Sequence, residues 1–580
     1  MKTSKTFVRA LSALICLGLL MSLLPAAALA QARPITITFD GRTVASEAPL
    51  VIINHTLMVP LRIVFETLDA YVEWDGATST ITGRKAGTII RLRVGDRTAT
   101  VNDRTVSLPE AARIEGGRTL VPLRFISEAL GVRVEWDSAS RTAHIFSTEG
   151  ARNVIFIHPD GASPSFFAAA RMLHYGPDGE LNWDRLPSTA VYNGHMKDNL
   201  TGTSNAGAVT HAYGVKVHDR SYGLDESGNP VVSRSGQRLT ILEEAKAAGF
   251  SVGMVNTGTI TEPGTGVWGA RVADRNDHAG IAKELIMRPD GQVIDVIFGG
   301  GEVWFLPNTI VGRHGKPGRR TDGLNLITEA IARGYRVIYT KDELLNLPPE
   351  TTRVLGLFAA HDTYNDNNDE ATPRYTYTEE QLRAEGLMDY DPNAPTFAQM
   401  VDAAIKILSK NQNRGFYLVA EEEGTDNLAN FALNARGTIE ATKRADDAIG
   451  VALEFARRNP NTLVITAADS EASGLSVVGN PPLSTGNVVP TQELRRRDGT
   501  IYFTEYLDGR DGTNTPPFMS APDRNGNSWP FAIAWSTRAD HSGSIVARAF
   551  GLHADMLRGT VDNTEIYRIK YRVLFDKVLP

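Results

Sequence analysis

The chain has 580 residues, more than one compact core usually holds, so we expect two or more domains. Hydrophobic residues make up 42% of the sequence and charged residues 22%, as in ordinary soluble globular proteins. The formal net charge is −7 and the sequence has no long basic run, so we expect no nucleic-acid partner.

The N-terminus predicts a secretory signal peptide over residues 1–30. Three basic residues precede an apolar run, Ala10–Leu24, and small residues follow it, so cleavage is expected after Ala30 or Ala32. The run is short for a membrane span, and an uncleaved anchor is the alternative. The single cysteine, Cys16, lies in this segment, which leaves the mature protein without cysteine chemistry. We expect a secreted or extracellular protein, free or held at the cell surface.

An internal repeat follows the leader. The segment LMVPLRIVFETLDAYVEWDGATSTIT, which begins at Leu57, recurs from Thr119 as TLVPLRFISEALGVRVEWDSASRTAHI. Three matched pairs are each 62 residues apart: Pro60 and Pro122, Arg62 and Arg124, Trp74 and Trp136. Such self-similarity indicates a duplicated supersecondary unit. Each copy predicts a short helix after V-P-L-R and a strand around V-E-W-D, with further strands between them at Thr88–Val94 and Thr98–Val101.

These motifs resemble those of a secreted stalk module, the copper amine oxidase N-terminal-like domain, over residues 33–147. The name implies copper, but the segment has only two histidines, His55 and His144, and no cluster of ligands. We therefore expect a small α+β repeat domain that acts as a spacer or contacts the cell wall. A short polar linker, Ser147–Arg152, marks its boundary.

From Asn153 onward the sequence alternates between predicted strands and helices. The predicted strands are Val154–Ile157, Ser251–Val255, Val293–Phe298, Arg336–Tyr339, Gly415–Val419 and Leu463–Thr466. The predicted helices are Leu239–Ala248, Leu324–Arg333, Phe397–Lys410 and Gly437–Arg458. This order implies an α/β domain over residues 153–580, with a largely parallel sheet sandwiched by helices. The segment Gly479–Trp529, rich in Pro, Gly, Asn and Arg, interrupts the alternation and indicates a cap insertion.

Carboxylates follow two of the predicted strands at the point where each strand ends. Asp469 follows the strand in NTLVITAADSEASG, and Asp160 follows the strand in NVIFIHPDGAS. The carboxyl ends of strands are where open α/β sheets bind ligands. Together with Asp426 and His541, these residues predict a cluster of metal ligands.

Two further segments carry candidate chemistry. Ser204 precedes a run of small residues that begins a helix, where the helix dipole would stabilise an alkoxide; a plain N-cap serine is the alternative. Asp426 and Asn430 are four residues apart and share one helix face, so their oxygens can hold a metal. Glu421 is expected to point inward, and its neighbours Glu422 and Glu423 to face solvent or to support the site from behind.

An arginine and a glutamate complete the set of candidates. Glu262 is predicted on a Gly/Pro-rich turn and Arg275 on the helix that follows. A guanidinium aimed at a metal site binds two phosphate or sulfate oxygens at once. Arg271 competes for this role, and a surface salt bridge is the alternative for either arginine.

From Asn153 to the C-terminus the chain resembles the alkaline phosphatases. The blocks that carry the resemblance occur in the family's order. They are the strand-end Asp160, Ser204 with GVK ten residues later, TILEEAKAAGFSVGMVNTG, Arg275, DVIFGGG, PTFAQMVDAAIKILSKNQNRGFYLVAE, TLVITAADSEASG and HSGSIVARAFG. The resemblance implies a metal-assisted phosphomonoesterase with Ser204 as the transiently phosphorylated nucleophile and Arg275 as the phosphate clamp. It implies three metal sites: Asp426, Asn430 and His541; Asp160, Ser204, Asp469 and Ser470; and Asp160, Glu421 and Glu262, the last of which takes magnesium.

The sequence departs from the family pattern at several ligand positions. Family members have histidines where Asn430 and Ser470 stand, and an aspartate where Thr203 stands. Imidazole favours zinc, whereas amide, carboxylate and hydroxyl oxygens favour magnesium, calcium or manganese. The expected cofactors are therefore two catalytic divalent ions, zinc by resemblance or one of these harder ions, and a further magnesium. Thr203 is the alternative nucleophile, and Glu471 is a candidate replacement ligand.

The third site departs as well. Gly264 stands where the family has a threonine oxygen, and Thr261 or Thr265 is the candidate substitute.

The expected activity is release of inorganic phosphate from small-molecule phosphate esters outside the cell. One alternative is a related phosphodiesterase, with the cap insertion carrying the change. The other is a catalytically weakened surface-binding protein, suggested by the missing histidines. The sequence does not indicate an oligomeric state.

Overall fold

The computed structural model describes residues 34–580 except for 40–41, 47–49, 69, 86–87, 131, 138–139, 148–150, 289, 365–389, 431, 490–492 and 505. The predicted signal peptide, residues 1–30, lies outside the described residues. Apart from residues 40–42, the chain divides into a smaller unit that ends at Thr148 and a larger unit from Glu149 to Pro580. Within the described ranges, no helix is long and apolar enough to cross a bilayer.

The smaller unit is built mainly of short strands. Its elements are β1 (Thr36–Phe39), β2 (Arg42–Val44), β3 (Val51–Ile53), β4 (Thr56–Pro60), α1 (Leu61–Thr67), β5 (Tyr71–Asp75), β6 (Thr80–Lys85), β7 (Thr88–Arg93), β8 (Thr98–Val101), β9 (Arg104–Ser107), β10 (Arg113–Glu115), β11 (Arg118–Pro122), α2 (Leu123–Ala129), β12 (Val132–Asp137) and β13 (Thr142–Ser147). The helix and strand predicted for each repeat copy occur as α1 with β5 and as α2 with β12.

The two repeat copies pair with each other. Strand β4 runs antiparallel to β11, with Val59 opposite Val121, the equivalent residue of the second copy. A repeat that pairs its own equivalent residues in this way has a local two-fold arrangement. Side chains from both copies, among them Phe65 and Ile126, then share one hydrophobic core, which explains why neither copy folds around a core of its own.

The larger unit contains most of the chain. Its strands are β14 (Arg152–Pro159), β15 (Ser188–Asn193), β16 (Ser251–Thr259), β17 (Val296–Gly300), β18 (Arg336–Ile338), β19 (Val354–Leu357), β20 (Gly415–Glu422), β21 (Thr462–Thr466), β22 (Glu471–Ala472), β23 (Ser476–Val478), β24 (Leu483–Ser484), β25 (Asn487–Val488), β26 (Glu493–Arg495), β27 (Ile501–Thr504), β28 (Tyr506–Gly509), β29 (Gly512–Thr513), β30 (Phe518–Met519), β31 (Pro530–Trp535), β32 (Asp540–His541), β33 (Ile545–Gly551) and β34 (Gly559–Asp562). Its helices are α3 (Pro164–Tyr175), α4 (Ser204–Tyr213), α5 (Ile241–Ala247), α6 (Pro263–Gly266), α7 (His278–Ile286), α8 (Leu326–Ala332), α9 (Lys341–Leu345), α10 (Phe397–Leu408), α11 (Gly424–Asn430), α12 (Ala435–Arg458) and α13 (Glu565–Phe575).

A ten-stranded sheet organises the larger unit, in the order β18-β19-β17-β16-β20-β14-β21-β33-β15-β34. Neighbours from β18 to β21 are all parallel. Strand β33 is antiparallel to both its neighbours, and β34 is parallel to β15. The predicted largely parallel sheet is confirmed; the antiparallel strand β33 was not among the predicted strands.

Strand β14 shows how helices cover both faces of this sheet. Val154 and Phe156 belong to one hydrophobic cluster, with α4, α5, α7 and α13. Ile155 and Ile157 belong to another, with α3, α10, α11 and α12. Successive side chains of a strand point to opposite faces, so a strand buried on both sides needs an unbroken apolar run, which is the pattern that predicted it.

The predicted helices occur as α5, α8, α10 and α12, with ends that differ from prediction by at most two residues. Capping explains the sharpest of these boundaries: Thr396 and Gln399 form a capping box at the start of α10. Strand β17 begins three residues later than predicted, at Val296. Within the predicted cap insertion, short strands occur, and β28 to β30 join β23 and β31 in antiparallel pairs.

Candidate active site

Three parallel strands bring carboxylates to one edge of the central sheet. Asp160 follows β14, Glu421 lies near the end of β20, and Asp469 follows β21. These three residues are almost completely buried. Ligand atoms of His158, Asp160 and Asp469 lie within 4.8 Å of one another, and so do those of Asp160, Glu421 and Glu423. The structure therefore brings the predicted strand-end carboxylates together.

Many oxygens of this cluster have no hydrogen-bond partner among the described residues. They include both carboxylate oxygens of Asp160 and of Asp469, Oε1 of Glu421 and Oε2 of Glu423. Buried polar atoms are normally paired, and unpaired buried charges are costly. Carboxylate oxygens are good ligands for divalent cations. The donor set thus fits bound divalent ions, whose charge would offset the cost of burying these groups.

The carboxylates also perturb one another. Burial raises the pKa of Glu421 well above its usual value, and the charges of Asp160 and Glu262 raise it further. Burial, together with Asp160, likewise raises the pKa of Asp469. Burial alone would raise the pKa of Asp160 too, but the neighbouring Asp469 carboxyl and His158 imidazole lower it below the ordinary range. These opposite shifts of the pKa are expected where like charges share a buried site, because the carboxyls do not all ionise equally easily.

Ser204 is the first residue of α4 and is buried beside this cluster. Its hydroxyl lies close enough to Asp160 to help lower the pKa of that carboxyl. The helix can approach so closely because Gly207 has no side chain: a Cβ atom there would collide with the Cβ of Asp469. The run of small residues after Ser204 therefore has a packing reason.

Thr203 has a different role. It is the N-cap of α4, and its Oγ1 accepts a hydrogen bond from the backbone N–H of Ala206 at 3.4 Å. The same hydroxyl donates to the carbonyl of Asp219 at 3.0 Å. Ser204 is therefore the hydroxyl beside the carboxylates, and Thr203 holds the helix end in place.

Arg275 faces the same region from a turn. The prediction that it lies on a helix is wrong: the residue precedes α7, which begins at His278. Its Nη1 donates to Oδ1 of Asn205 at 3.3 Å, and its Nη2 is 3.5 Å from Oε2 of Glu262. The side chain remains 40% exposed, so its guanidinium is anchored next to Ser204 and still reachable by a ligand.

Arg271, the competing arginine, is engaged elsewhere. Its guanidinium pairs with Glu243, and its backbone N–H donates to Glu284. The geometry therefore favours Arg275 over Arg271 as the group that faces the carboxylate cluster.

Asp426 and Asn430 share one face of α11, as their spacing predicts. Nδ2 of Asn430 donates to Oδ1 of Asp426 at 2.6 Å and to Oδ1 of Asp540 at 2.8 Å. The amide oxygen of Asn430 accepts from the Ser473 hydroxyl at 3.0 Å. Asn430 thus joins two carboxylates through its amide hydrogens in this structure. Burial raises the pKa of Asp540, and the nearby Ser470 hydroxyl opposes this shift.

His541 contacts Glu471 across a short antiparallel pair formed by β22 and β32. Its Nδ1 is 2.8 Å from the Glu471 carbonyl, and its Nε2 is 3.6 Å from Oε2 of the same residue. About a third of the side chain is exposed. The polar contacts described for His541 are therefore with Glu471, and the adjacent Asp540 is bonded to Asn430.

The acidic end of β20 differs from expectation. Both Glu422 and Glu423 are buried, so the expectation that they face solvent is wrong. Glu422 pairs with Arg444 at 3.2 Å, whereas Glu423 lies with Asp160 and Glu421. Burial raises the pKa of Glu423 well above its usual value, and the charge of Glu421 adds to this effect.

Glu421 itself is held by Asn256 of the neighbouring strand β16. Nδ2 of Asn256 donates to Oε2 of Glu421 at 2.6 Å and to Oγ1 of Thr265 at 2.9 Å. A Cβ atom at position 264 would collide with the Glu421 carboxylate, so Gly264 makes room for this group. Thr265, one of the two proposed substitutes, is linked to Glu421 through Asn256, whereas Thr261 pairs with His278.

Four residues of the site were missed in the sequence: His158, Asn256, Glu423 and Asp540. Two signals were available. His158 is two residues before Asp160, which places both side chains on the same side of an extended strand. Asp540 is adjacent to His541. Asn256 and Glu423 are recognisable only once the strands are aligned, because Asn256 and His158 lie opposite Glu421 from either side.

Models of two protein families match this chain. The sequence model of the alkaline phosphatase family matches residues 151–574, and that of the copper amine oxidase N-terminal domain matches residues 38–145. An alkaline phosphatase of Escherichia coli (strain K12) is 28% identical over 472 residues, which cover 75% of this chain and 88% of the relative. A membrane-bound alkaline phosphatase of Bombyx mori is 28% identical over 468 residues, which cover 72% of this chain and 78% of the relative.

Solved structures show the same fold. Thermus thermophilus alkaline phosphatase has a TM-score of 0.55 at 21% identity, and the match covers 74% of this chain and 92% of that one. The alkaline phosphatase of the Antarctic bacterium TAB5 has a TM-score of 0.52 at 20% identity, with 74% and 98% covered.

The packing of Gly264 against Glu421 makes the first testable prediction. Gly264→Ala is expected to weaken binding of a divalent cation by about 10- to 100-fold, because the new methyl group displaces the Glu421 carboxylate from Asp160. Gly479→Ala is the matched control, since a Cβ atom at that position meets nothing within 4 Å. Magnesium titration followed by calorimetry measures both variants, and equal affinities would contradict this role of Gly264.

Proposed function

The chain belongs to the alkaline phosphatase family of phosphoric monoester hydrolases, and we propose that it is an exported, metal-dependent phosphomonoesterase that acts through Ser204. One observation carries the proposal. The Ser204 hydroxyl and the Arg275 guanidinium face a buried group of carboxylates, several of whose oxygens have no hydrogen-bond partner in the described part of the chain. That combination provides a nucleophile, a clamp for phosphate and a place for cations.

The chain's own groups account for substrate binding. Arg275 is held between Asn205 and Glu262 and is partly exposed, so two of its N–H groups can bind non-bridging phosphate oxygens. Ser204 opens a helix of ten residues, whose N-terminal dipole favours negative charge at the same place. The phosphate is thus held with its phosphorus facing the Ser204 hydroxyl.

The reaction then has two transfers. Ser204 Oγ forms a bond to phosphorus as the bond to the alcohol oxygen breaks, which leaves phosphoserine and a free alcohol. Water next attacks the phosphoserine, which releases inorganic phosphate and restores the serine. Arg275 neutralises charge on the phosphoryl oxygens in both transfers. Bound divalent ions would supply charge stabilisation at the attacking and leaving oxygens.

Members of the alkaline phosphatase family bind divalent metals, and one solved TAB5 variant has Mg bound in its M3 site. We propose two catalytic ions and a magnesium in this chain. Asp160, Ser204, Asp469 and Ser470 would hold one catalytic ion, and Asp160, Glu421 and Glu423 the magnesium, with Glu262 nearby. Asp426, Asn430 and His541 would hold the other, which requires the Asn430 amide to turn its oxygen away from Ser473.

We also propose that the protein works outside the cell. The support is the predicted leader over residues 1–30 and the match of residues 38–145 to a copper amine oxidase N-terminal domain. The smaller unit would act as a stalk that contacts the cell wall. Small-molecule phosphate esters in the surroundings are then the substrates.

Substitution of Ser204 tests the nucleophile. Ser204→Ala is expected to lower kcat for a chromogenic phosphomonoester by about 1000-fold or more, because no other hydroxyl occupies its place. Thr203→Ala is the control: it removes the helix cap, at a cost of about 1 kcal/mol in stability, and leaves the nucleophile. Initial rates with a monoester and a diester distinguish the two esterase activities. Full turnover by Ser204→Ala would rule out Ser204 as the nucleophile.

Chelation tests the metal requirement. Removal of divalent ions is expected to abolish hydrolysis and to lower the unfolding temperature, because the buried carboxylates then repel one another without compensation. Thermal unfolding and activity are measured after chelation and after addition of zinc, magnesium, calcium or manganese singly. Activity and unfolding temperature that both survive exhaustive chelation would exclude metal dependence.

Export is tested on the protein recovered from the culture medium or cell surface. N-terminal sequencing is expected to begin at Gln31 or Arg33, because small residues precede both positions. Protein found only inside the cell with Met1 intact would argue against an exported enzyme.

A further inference from the structure

The His158 imidazole lies in the buried carboxylate cluster, and only one of its two ring nitrogens has a hydrogen-bond partner among the described residues. Its Nδ1 is 2.7 Å from the carbonyl oxygen of Ala467. A carbonyl oxygen can only accept, so Nδ1 carries the proton of this bond and Nε2 is the nitrogen that faces the carboxylates. Nε2 is buried and has no hydrogen-bond partner among the described residues. An imidazole held through one nitrogen by a carbonyl, with the other turned to acidic groups, is the usual arrangement of a metal-ligating histidine.

The distances around Nε2 suit a shared ion better than direct hydrogen bonds. Nε2 is 3.5 Å from Oδ1 of Asp160, 3.7 Å from Oε1 of Glu421 and 4.0 Å from Oδ1 of Asp469. Good hydrogen bonds between such atoms are about 2.7–3.0 Å long. Two ligand atoms bonded at about 2.1 Å to one tetrahedral ion are roughly 3.4 Å apart. His158, Asp160 and Asp469 have this kind of spacing.

We propose that Nε2 of His158 is a ligand of the catalytic divalent ion held by Asp160 and Asp469. The inference rests on the proposed function, because it assigns a further ligand to one of the ions proposed there. It also changes the expected choice of metal. Without His158, the proposed ligands of this ion supply only oxygen atoms, which favour magnesium, calcium or manganese. With His158 added, the site offers an imidazole and two carboxylates, a ligand set that favours zinc or cobalt.

The fold explains how a histidine reaches this position. His158 lies near the end of strand β14 and Asp160 directly after it, two residues on, so the imidazole and the Asp160 carboxylate lie next to each other. Glu421 lies opposite His158 on β20, and Ala467, which fixes the ring, follows β21. Three central strands therefore hold the ring rigidly, as a ligand at a catalytic ion requires.

A second buried histidine provides a matched control. His211 on α4 is fully buried and has no hydrogen-bond partner for either ring nitrogen among the described residues. Its ring packs edge-on against the rings of Phe156, Tyr192 and His158. The ring centroids of His211 and His158 are 5.9 Å apart. Replacing His211 disturbs the same packing without removing the group that faces the carboxylates.

The first experiment looks for a new signal. The mature protein is expected to have no cysteine, so His158→Cys introduces a single thiol at the proposed ligand position. After chelation and loading with cobalt, this variant is expected to show a thiolate-to-cobalt charge-transfer band in the near ultraviolet. His211→Cys, loaded in the same way, is expected to show none. Absence of the band from a cobalt-loaded His158→Cys protein contradicts the proposal.

The second experiment measures affinity. His158→Asn is expected to bind zinc at least about 10- to 100-fold more weakly than the wild type. Removing a residue that only hydrogen-bonds to a metal ligand already causes a loss of this size. His211→Asn is expected to bind zinc as the wild type does. Competition with a chelator of known affinity measures both folded variants. If His158→Asn binds zinc as tightly as the wild type, His158 is not a ligand and is instead an imidazolium that pairs with the carboxylates.

The outcomes separate this inference from the proposed function. If the wild type binds no divalent ion and hydrolyses esters after chelation, metal-dependent catalysis and the His158 ligand both fail. If the wild type loses activity on chelation while the His158 variants keep full zinc affinity and show no charge-transfer band, only the His158 ligand fails.

Discussion

Electrostatic repulsion among buried carboxylates is the constraint on which the rest of the site depends. Asp160, Glu421, Glu423, Asp426 and Asp469 are all buried in the larger unit. The Arg275 guanidinium faces the group from a partly exposed position. So many acidic groups remain ionised together only with further positive charge beside them, which divalent cations provide. The stability of this edge of the sheet therefore depends on cation binding.

Parallel strands and two glycines bring these carboxylates together. Strands β14, β20 and β21 end at the same edge, so their carboxylates converge without any long loop. Gly264 leaves room for the Glu421 carboxylate, and Gly207 lets α4 approach Asp469. The second contact places the Ser204 hydroxyl beside the carboxylates. A rigid sheet thus sets the positions of the acids, and two absent side chains allow the neighbouring elements to close on them.

The departures from the family pattern acquire a physical meaning in this arrangement. Asn430 links Asp426 to Asp540 through its amide hydrogens, so the amide also bridges two acids that would otherwise repel each other. Ser470 is small and lies near Asp540. His158 brings an imidazole into the cluster from the strand that also carries Asp160. The candidate ligands thus lie on several neighbouring elements around the same carboxylates, close to Ser204 and Arg275.

The sequence by itself determined the division into a repeated unit and an α/β unit, the parallel strands and the strand-end positions of Asp160 and Asp469. These features follow from local periodicity and from repeated motifs, which a linear sequence contains. Tertiary structure alone decided that Asn256 supports Glu421, that Glu423 turns inward and that Arg275 lies in a turn. It also decided that Nε2 of His158 faces three carboxylates. These facts depend on which strands become neighbours and in what register, and such long-range pairings leave no periodic trace along the chain.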